Sequence, residues 1–99
     1  MNNTDDEFNR ACQTYDNGEY NEALAIFKEL ANEGHISAIL RTADCYLRGS
    51  GTEKDLEKAK EYFLMAQKSG VSEANEVIQL IEKGQELEVE REYWRNYQG

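Results

Sequence analysis

The chain contains an internal repeat, and this repeat restricts the possible folds more than any other feature of the sequence. When the 99-residue sequence is aligned with itself at an offset of 36 residues, small and aromatic residues coincide. The coinciding pairs are Ala23 with Ala59, Phe27 with Phe63, Gly34 with Gly70, and Ala38 with Ala74. Periods of about 20 to 50 residues are typical of proteins in which similar supersecondary units stack on one another. We therefore expect at least two packed units of the same kind.

The two units differ in the turn that joins their helices. At an offset of 31 residues, the coinciding pairs are Cys12 with Ala43, Tyr15 with Tyr46, and Gly18 with Gly49. The first unit continues as YDNGEYNEA, whereas the second continues as YLRGSGTEKDLEKA and has a longer turn. In each unit the motif AxxxF then places a small and an aromatic residue on one face of a helix. The small residue allows close approach of a neighbouring helix, and the aromatic ring fills the space beside it.

The longer turn, GSGTEKD, is predicted to be structural. Gly49 and Gly51 permit positive φ, and Asp55 can cap the next helix by accepting a backbone N–H. A phosphate site is not favoured, because the stretch lacks the spacing of a P-loop and Glu53 would repel an anion.

Periodicity and glycine turns predict five helices, with boundaries uncertain by about 2 to 4 residues. They span about 5–16, 19–33, 36–48, 54–69 and 72–82. A weaker third copy of the pattern places a turn at Gly84 and a sixth helix at about 86–97. Alternatively, residues 72–97 form one continuous helix, in which Gly84 costs about 1 kcal/mol relative to alanine. We prefer the interpretation in which a turn at Gly84 separates two helices.

Residues 1–99 are expected to form one domain, with hairpins at about 5–33 and 36–69 and a capping helix or hairpin at about 72–97.

The second unit, AILRTADCYLRGSGTEKDLEKAKEYFLMAQKSG, resembles a Sel-one-like repeat. The residues that carry the resemblance are Ala38, Ala43, Tyr46, Gly49, Gly51, Asp55, Lys58, Ala59, Tyr62, Phe63, Ala66 and Gly70. The first unit lacks the GxG turn and is more similar to a tetratricopeptide repeat. The resemblance covers roughly residues 7–74 and implies an all-α fold: a short right-handed α-solenoid of two to three antiparallel helix hairpins. The first helix of each hairpin would line a concave side.

The chain is acidic, with 20 acidic and 11 basic residues and a formal net charge of −9. Nucleic acid and anionic membranes repel such a surface, so we expect neither as a ligand, whereas a basic protein would be attracted. Solubility alone is the alternative reason for the charge. The N-terminus, MNNTDDEFNR, has no signal-peptide pattern, and no apolar stretch approaches the length of a membrane span. We therefore expect a cytoplasmic protein.

No group of residues has a spacing that suggests catalysis. Cys12 and Cys45 are expected to be buried free thiols, with a disulfide as the alternative, and His35 is expected to be a solvated turn residue. The many carboxylates lie at helical spacing, which is more typical of a solvated face than of an acid/base pair. We expect no enzyme activity, no cofactor and no metal.

Two groups of side chains are predicted to bind a partner. Residues next to the packed faces of the first helices, all but Leu40 polar, form one group: Asn9, Gln13, Ser37, Leu40, Arg41, Asp44 and Arg48. An ordinary solvated helix face is the alternative. The aromatic residues near the C-terminus form the other group: Tyr93, Trp94 and Tyr97. These rings either close the end of the core or provide an exposed anchor for a partner or a homo-oligomer.

The sequence thus predicts a non-catalytic module that binds a protein or peptide through its concave face. One specific version is a small acidic bacterial immunity or inhibitor protein that blocks a basic effector by charge complementarity. The alternative is a structural fragment or self-assembling unit of a longer helical-repeat scaffold.

Overall fold

The protein is all-α in a computed structural model, which describes residues 3–84. The helices are α1 (Asn3–Asp16), α2 (Tyr20–Asn32), α3 (Ile36–Arg48), α4 (Leu56–Lys68) and α5, whose described part spans 74–84. Between residues 3 and 84 there is no β-strand. The predicted all-α class is confirmed, and the helices start within two residues of their predicted positions. The sixth predicted helix, at about 86–97, lies outside the described residues.

The turn predicted at Gly84 is wrong. Gly84 is helical and belongs to α5, whereas Gly18 and Gly49 take up positive φ angles of 89° and 76° at their turns. A glycine inside a helix costs only about 1 kcal/mol, so the residue type alone does not end the helix. The choice between one helix and two beyond this point concerns residues that the structure does not describe.

Successive helices pack against each other in antiparallel pairs. Between α1 and α2, the ring centroids of Phe8 and Phe27 lie 5.7 Å apart, and those of Tyr15 and Tyr20 lie 4.7 Å apart. Between α3 and α4, Tyr46 stacks on Tyr62 at 5.8 Å. α2 packs in turn against α3, so the second pair of helices lies directly on the first.

Alanines and a few large side chains form the core. In each unit the AxxxF motif is buried as predicted: Ala23 and Phe27 are fully enclosed, and so are Ala59 and, almost completely, Phe63. A smaller cluster around Phe27 joins α1, α2 and α3, and a larger cluster extends from α2 to α5. The one buried polar residue in the described part of the chain, Thr42, donates its hydroxyl hydrogen to the carbonyl of Ala38 at 2.8 Å. The core therefore contains a satisfied polar group rather than an unpaired one.

The long turn between α3 and α4, within the second hairpin, packs against the first hairpin. Gly51 has a φ of +78°, and a Cβ atom at this position would lie 2.5 Å from the carbonyl oxygen of Tyr20, at the start of α2. Only glycine fits there without displacing backbone. Asp55 accepts a hydrogen bond from the backbone N–H of Lys58 at 3.1 Å, which confirms its predicted role as the N-cap of α4.

Candidate interaction surface

The first helices of the two hairpins, α1 and α3, lie side by side and run in the same direction. At their N-terminal ends, Asp5 and His35 are joined by a hydrogen bond of 3.0 Å. At their C-terminal ends, the hydroxyl of Tyr15 donates to the hydroxyl oxygen of Ser50 at 3.1 Å. These contacts place the corresponding ends of α1 and α3 close together.

Four of the predicted residues form one strip along α3. Ser37, Arg41, Asp44 and Arg48 are spaced by four, three and four residues, which places them on a single helix face. Ser37 and Arg48 are exposed, whereas Arg41 and Asp44 are half-buried. The core side of the same helix carries buried residues such as Ala38 and Thr42. The strip is therefore distinct from the packed face.

Arg41 shows which neighbour this strip faces. Its Cζ atom lies 5.6 Å from the ring centroid of Tyr15 in α1 and 5.9 Å from that of Phe27 in α2. A guanidinium over aromatic rings is held by cation–π attraction. The Arg41 strip thus lies on the side of α3 that faces the first hairpin.

Asp44 and Arg48 form an ion pair one turn apart on α3. Nε of Arg48 donates to Oδ1 of Asp44 at 2.9 Å, and the Arg48 side chain is 71% exposed. An exposed pair of this kind contributes little to stability, typically below about 1 kcal/mol. Both groups could consequently exchange this contact for one with a partner at small cost.

On α1, Asn9 and Gln13 are exposed and lie one turn apart. Asn9 also follows Asp5 by one turn, on the side of α1 that reaches His35. We call the combined surface the α1/α3 face; it consists of Asn9, Gln13, Ser37, Arg41, Asp44 and Arg48. The other predicted group, Tyr93, Trp94 and Tyr97, lies outside the described residues.

Leu40, the remaining predicted residue of α3, is apolar and is described apart from the α1/α3 face. Its side chain is half-buried and packs against the larger core cluster, as does Leu47 two turns further along α3. Residues 40 and 47 lie on the side of α3 that turns away from the first hairpin, because the Arg41 side is occupied by Tyr15 and Phe27. Leu40 was predicted as a partner contact, and this stays a prediction; the structure shows that its half-buried side chain packs against the larger core cluster.

His35 was expected to be solvated, and this prediction is wrong. Its side chain is only 13% exposed, and its ring stacks on Phe8 with centroids 4.9 Å apart. The backbone N–H of Ala38 donates to Nδ1 of His35 at 3.2 Å, so His35 is the N-cap of α3. Its position directly after the turn at Gly34 and three residues before Ala38 is that of an N-cap. The sequence prediction missed this role because histidine is not a usual capping residue.

The two cysteines are free thiols, as predicted. Cys45 is buried in the smaller core cluster, and Cys12 is half-buried against it. The pKa of the Cys45 thiol is raised to about 11, mainly by burial and also by the charge of Asp44, while the charge of Arg41 opposes the shift. Since the thiolate is the reactive form and is scarce near neutral pH, we expect Cys45 to react slowly there.

Other kinds of site are not found in the part of the chain that the structure describes. Among residues 3–84 there is no group of three or more His, Cys, Asp or Glu side chains that could hold a metal ion. Of the helices in this range, none is both long and apolar enough to cross a lipid bilayer. Comparison of the chain with protein-family models and with curated proteins gives no match.

Proposed function

We propose that the chain is a non-catalytic protein–protein interaction module that binds a protein or peptide along the α1/α3 face. In this proposal the hairpins form a short right-handed α-solenoid of the Sel-one-like and tetratricopeptide kind, and the α1/α3 face is its concave side. The observation that carries the proposal is the parallel arrangement of α1 and α3, each with a polar strip beside its packed face.

The chemistry of the α1/α3 face suits a polypeptide ligand. The amides of Asn9 and Gln13 offer donors and acceptors that match a peptide backbone, and the hydroxyl of Ser37 offers both as well. Asp44 and Arg48 add one charge of each sign and are joined by an ion pair at 2.9 Å. Mixed polar groups of this kind provide the hydrogen bonds that protein interfaces contain at about one per 100–200 Å².

The net charge indicates what kind of partner to expect. At −9 the protein would steer a basic partner toward itself, and the attraction would weaken as salt is added. This is the behaviour of a small acidic immunity or inhibitor protein that blocks a basic effector. The free thiols Cys12 and Cys45 are compatible with a reducing compartment, so we place the protein in the cytoplasm.

The test is affinity capture from the cells that make the protein, at low and at high salt, with matched surface variants. The variant Gln13→Arg/Ser37→Arg adds two long cationic side chains to the α1/α3 face. The control Ala25→Arg/Asn32→Arg adds the same charge to exposed positions of α2, away from this face. Bound proteins are identified by mass spectrometry, and their affinities are then measured with purified partner.

A stoichiometric basic partner that is lost with the first variant and retained with the control would support the proposal. Equal binding by both variants would show that the partner uses another surface. If the protein captures only further copies of itself, the self-assembling scaffold becomes the better interpretation.

A further inference from the structure

The only histidine of the chain lies at the junction between α1 and α3, where its imidazole ring makes three contacts. The ring of His35 stacks on Phe8, its Nδ1 accepts the backbone N–H of Ala38 at 3.2 Å, and its Nε2 is hydrogen-bonded to the Asp5 carboxylate at 3.0 Å. One ring nitrogen therefore acts as an acceptor and the other as a donor. Only the neutral ring can do both.

Protonation would disturb this arrangement at one nitrogen. The neutral ring has a single free lone pair in its plane, at Nδ1, so an added proton is placed there and both nitrogens become donors. The backbone N–H of Ala38 is also a donor, and two donors cannot share a hydrogen bond. The N-cap of α3 would be lost, whereas the bond between Nε2 and the Asp5 carboxylate would persist as an ion pair.

The charged groups around the ring offer little compensation for a lost cap. Among residues 3–84, the carboxylate of Asp5 on α1 is the one acidic group within ion-pair distance of the ring, and its side chain is 63% exposed, so water weakens the attraction. Asp6 on α1 and Glu33 at the end of α2 are exposed and lie beyond that distance. The first turn of α3 carries no acidic side chain, and the positive end of the helix dipole disfavours a cation there.

We propose that His35 is a pH-sensitive cap, which releases the N–H of Ala38 and opens the first turn of α3 when the ring is protonated in mild acid. Histidine ordinarily changes charge between about pH 5 and 8, where most carboxylates stay ionised. The opening is thus separate from acid denaturation. Ser37 of the α1/α3 face lies in the same turn, so the change reaches one end of that face. The ring contacts alone carry this inference, and it does not depend on the proposed function.

The test follows the ring and two backbone amides by NMR between about pH 8 and about pH 5. Long-range ¹H–¹⁵N spectra of the intact chain report the protonation of each ring nitrogen. Hydrogen-exchange protection factors, corrected for the intrinsic effect of pH on exchange, report the N–H of Ala38. The N–H of Lys58 is the internal control, because it is capped in the same way by Asp55, at 3.1 Å.

A matched variant, His35→Asn, gives the second control. Asparagine also caps helices but does not titrate, and the variant keeps every other titratable group of the chain. If this variant fails to fold, the comparison of Ala38 with Lys58 in the wild type still decides the question.

At about pH 8 we expect the ring hydrogen on Nε2 and a protected Ala38 amide. As the ring is protonated, the protection factor of Ala38 should fall by roughly fivefold, which corresponds to the loss of one N-cap. The protection of Lys58, and of Ala38 in His35→Asn, should not change.

Three results for the ring would overturn the proposal: a hydrogen on Nδ1 at about pH 8, a ring that stays neutral down to about pH 5, or protonation that leaves Ala38 protected. An equal loss of protection at Lys58, or at Ala38 in His35→Asn, would also overturn it, because groups other than His35 would then be responsible.

Discussion

Asp5 accepts a hydrogen bond from Nε2–H of His35 at 3.0 Å, and this bond links the first turn of α1 to the residue that begins α3. The tautomer of His35 follows from the second hydrogen bond that its imidazole ring makes. The N–H of Ala38 can only donate, so Nδ1 of His35 is unprotonated and the neutral ring carries its hydrogen on Nε2. One imidazole thus caps α3, contacts α1 through Asp5, and stacks on Phe8.

We expect the cap and the stack of His35 to matter more than its bond to Asp5. His35→Ala should lower the free energy of unfolding by about 1–3 kcal/mol, since it removes both an N-cap and an aromatic contact. Asp5→Asn should cost less than about 1 kcal/mol, because the Asp5 side chain is 63% exposed. Urea titration of both variants gives the comparison. His35→Asn, which can still cap, should fall between them; an Asp5→Asn loss as large as that of His35→Ala would contradict this ranking.

Gly51 should tolerate alanine less well than Gly18. Both residues have positive φ, 78° and 89°, and alanine in that region costs about 1–2 kcal/mol. At Gly18 a Cβ would meet no atom within 4 Å, whereas at Gly51 it would lie 2.5 Å from the carbonyl oxygen of Tyr20. We expect Gly51→Ala to lower the free energy of unfolding by roughly 1–3 kcal/mol more than Gly18→Ala, as overpacking usually does. Equal losses in urea titrations would mean that the turn moves away from α2 without cost.

The two thiols should differ in reactivity. Because the pKa of Cys45 is raised to about 11, its thiolate is scarce at pH 7–8 and becomes abundant only as the pH approaches that value. Native protein treated with iodoacetamide at pH 8 should therefore be alkylated at Cys12 and not at Cys45, as peptide mass spectrometry would show. In urea both cysteines should react. Rapid labelling of Cys45 in the native state would indicate that the smaller core cluster opens frequently.

Arg41 should be more important for stability than Arg48. Arg41 is half-buried over Tyr15 and Phe27, so Arg41→Ala removes packing as well as a cation–π contact of about 0.5–1 kcal/mol. Arg48→Ala removes only an exposed ion pair, worth about 0.3–0.5 kcal/mol at this helical spacing. Thermal unfolding of the two variants measures the difference. A lower melting temperature for Arg48→Ala than for Arg41→Ala would contradict the assignment.

The helices were predictable from the sequence because their signals are local. Apolar periodicity located the helices, and the glycines at 18, 34, 49, 51 and 70 all take up positive φ between or after them. Gly84 misled the prediction because the same residue type occurs inside helices at moderate cost, and only the surrounding structure decides between the two uses.

The side on which a surface residue lies was less predictable. Leu40 and Arg41 are sequence neighbours on α3, yet Leu40 packs toward the larger core cluster and Arg41 toward the first hairpin. Their roles depend on how α3 is rotated relative to α1 and α5, which periodicity within one helix does not determine. The enclosure of His35 was missed for a similar reason, because it depends on Phe8 and Asp5, about 30 residues earlier in the chain.

The close backbone contact between Gly51 and Tyr20 has a consequence for recognition. With no side chain between them, the turn of the second hairpin rests directly on the start of α2, which leaves little room for the hairpins to rotate against each other. Under the proposed function, the α1/α3 face, which spans both hairpins, would be preorganised before a partner binds. Less conformational entropy is lost on association, so even a modest number of polar contacts can give a useful affinity.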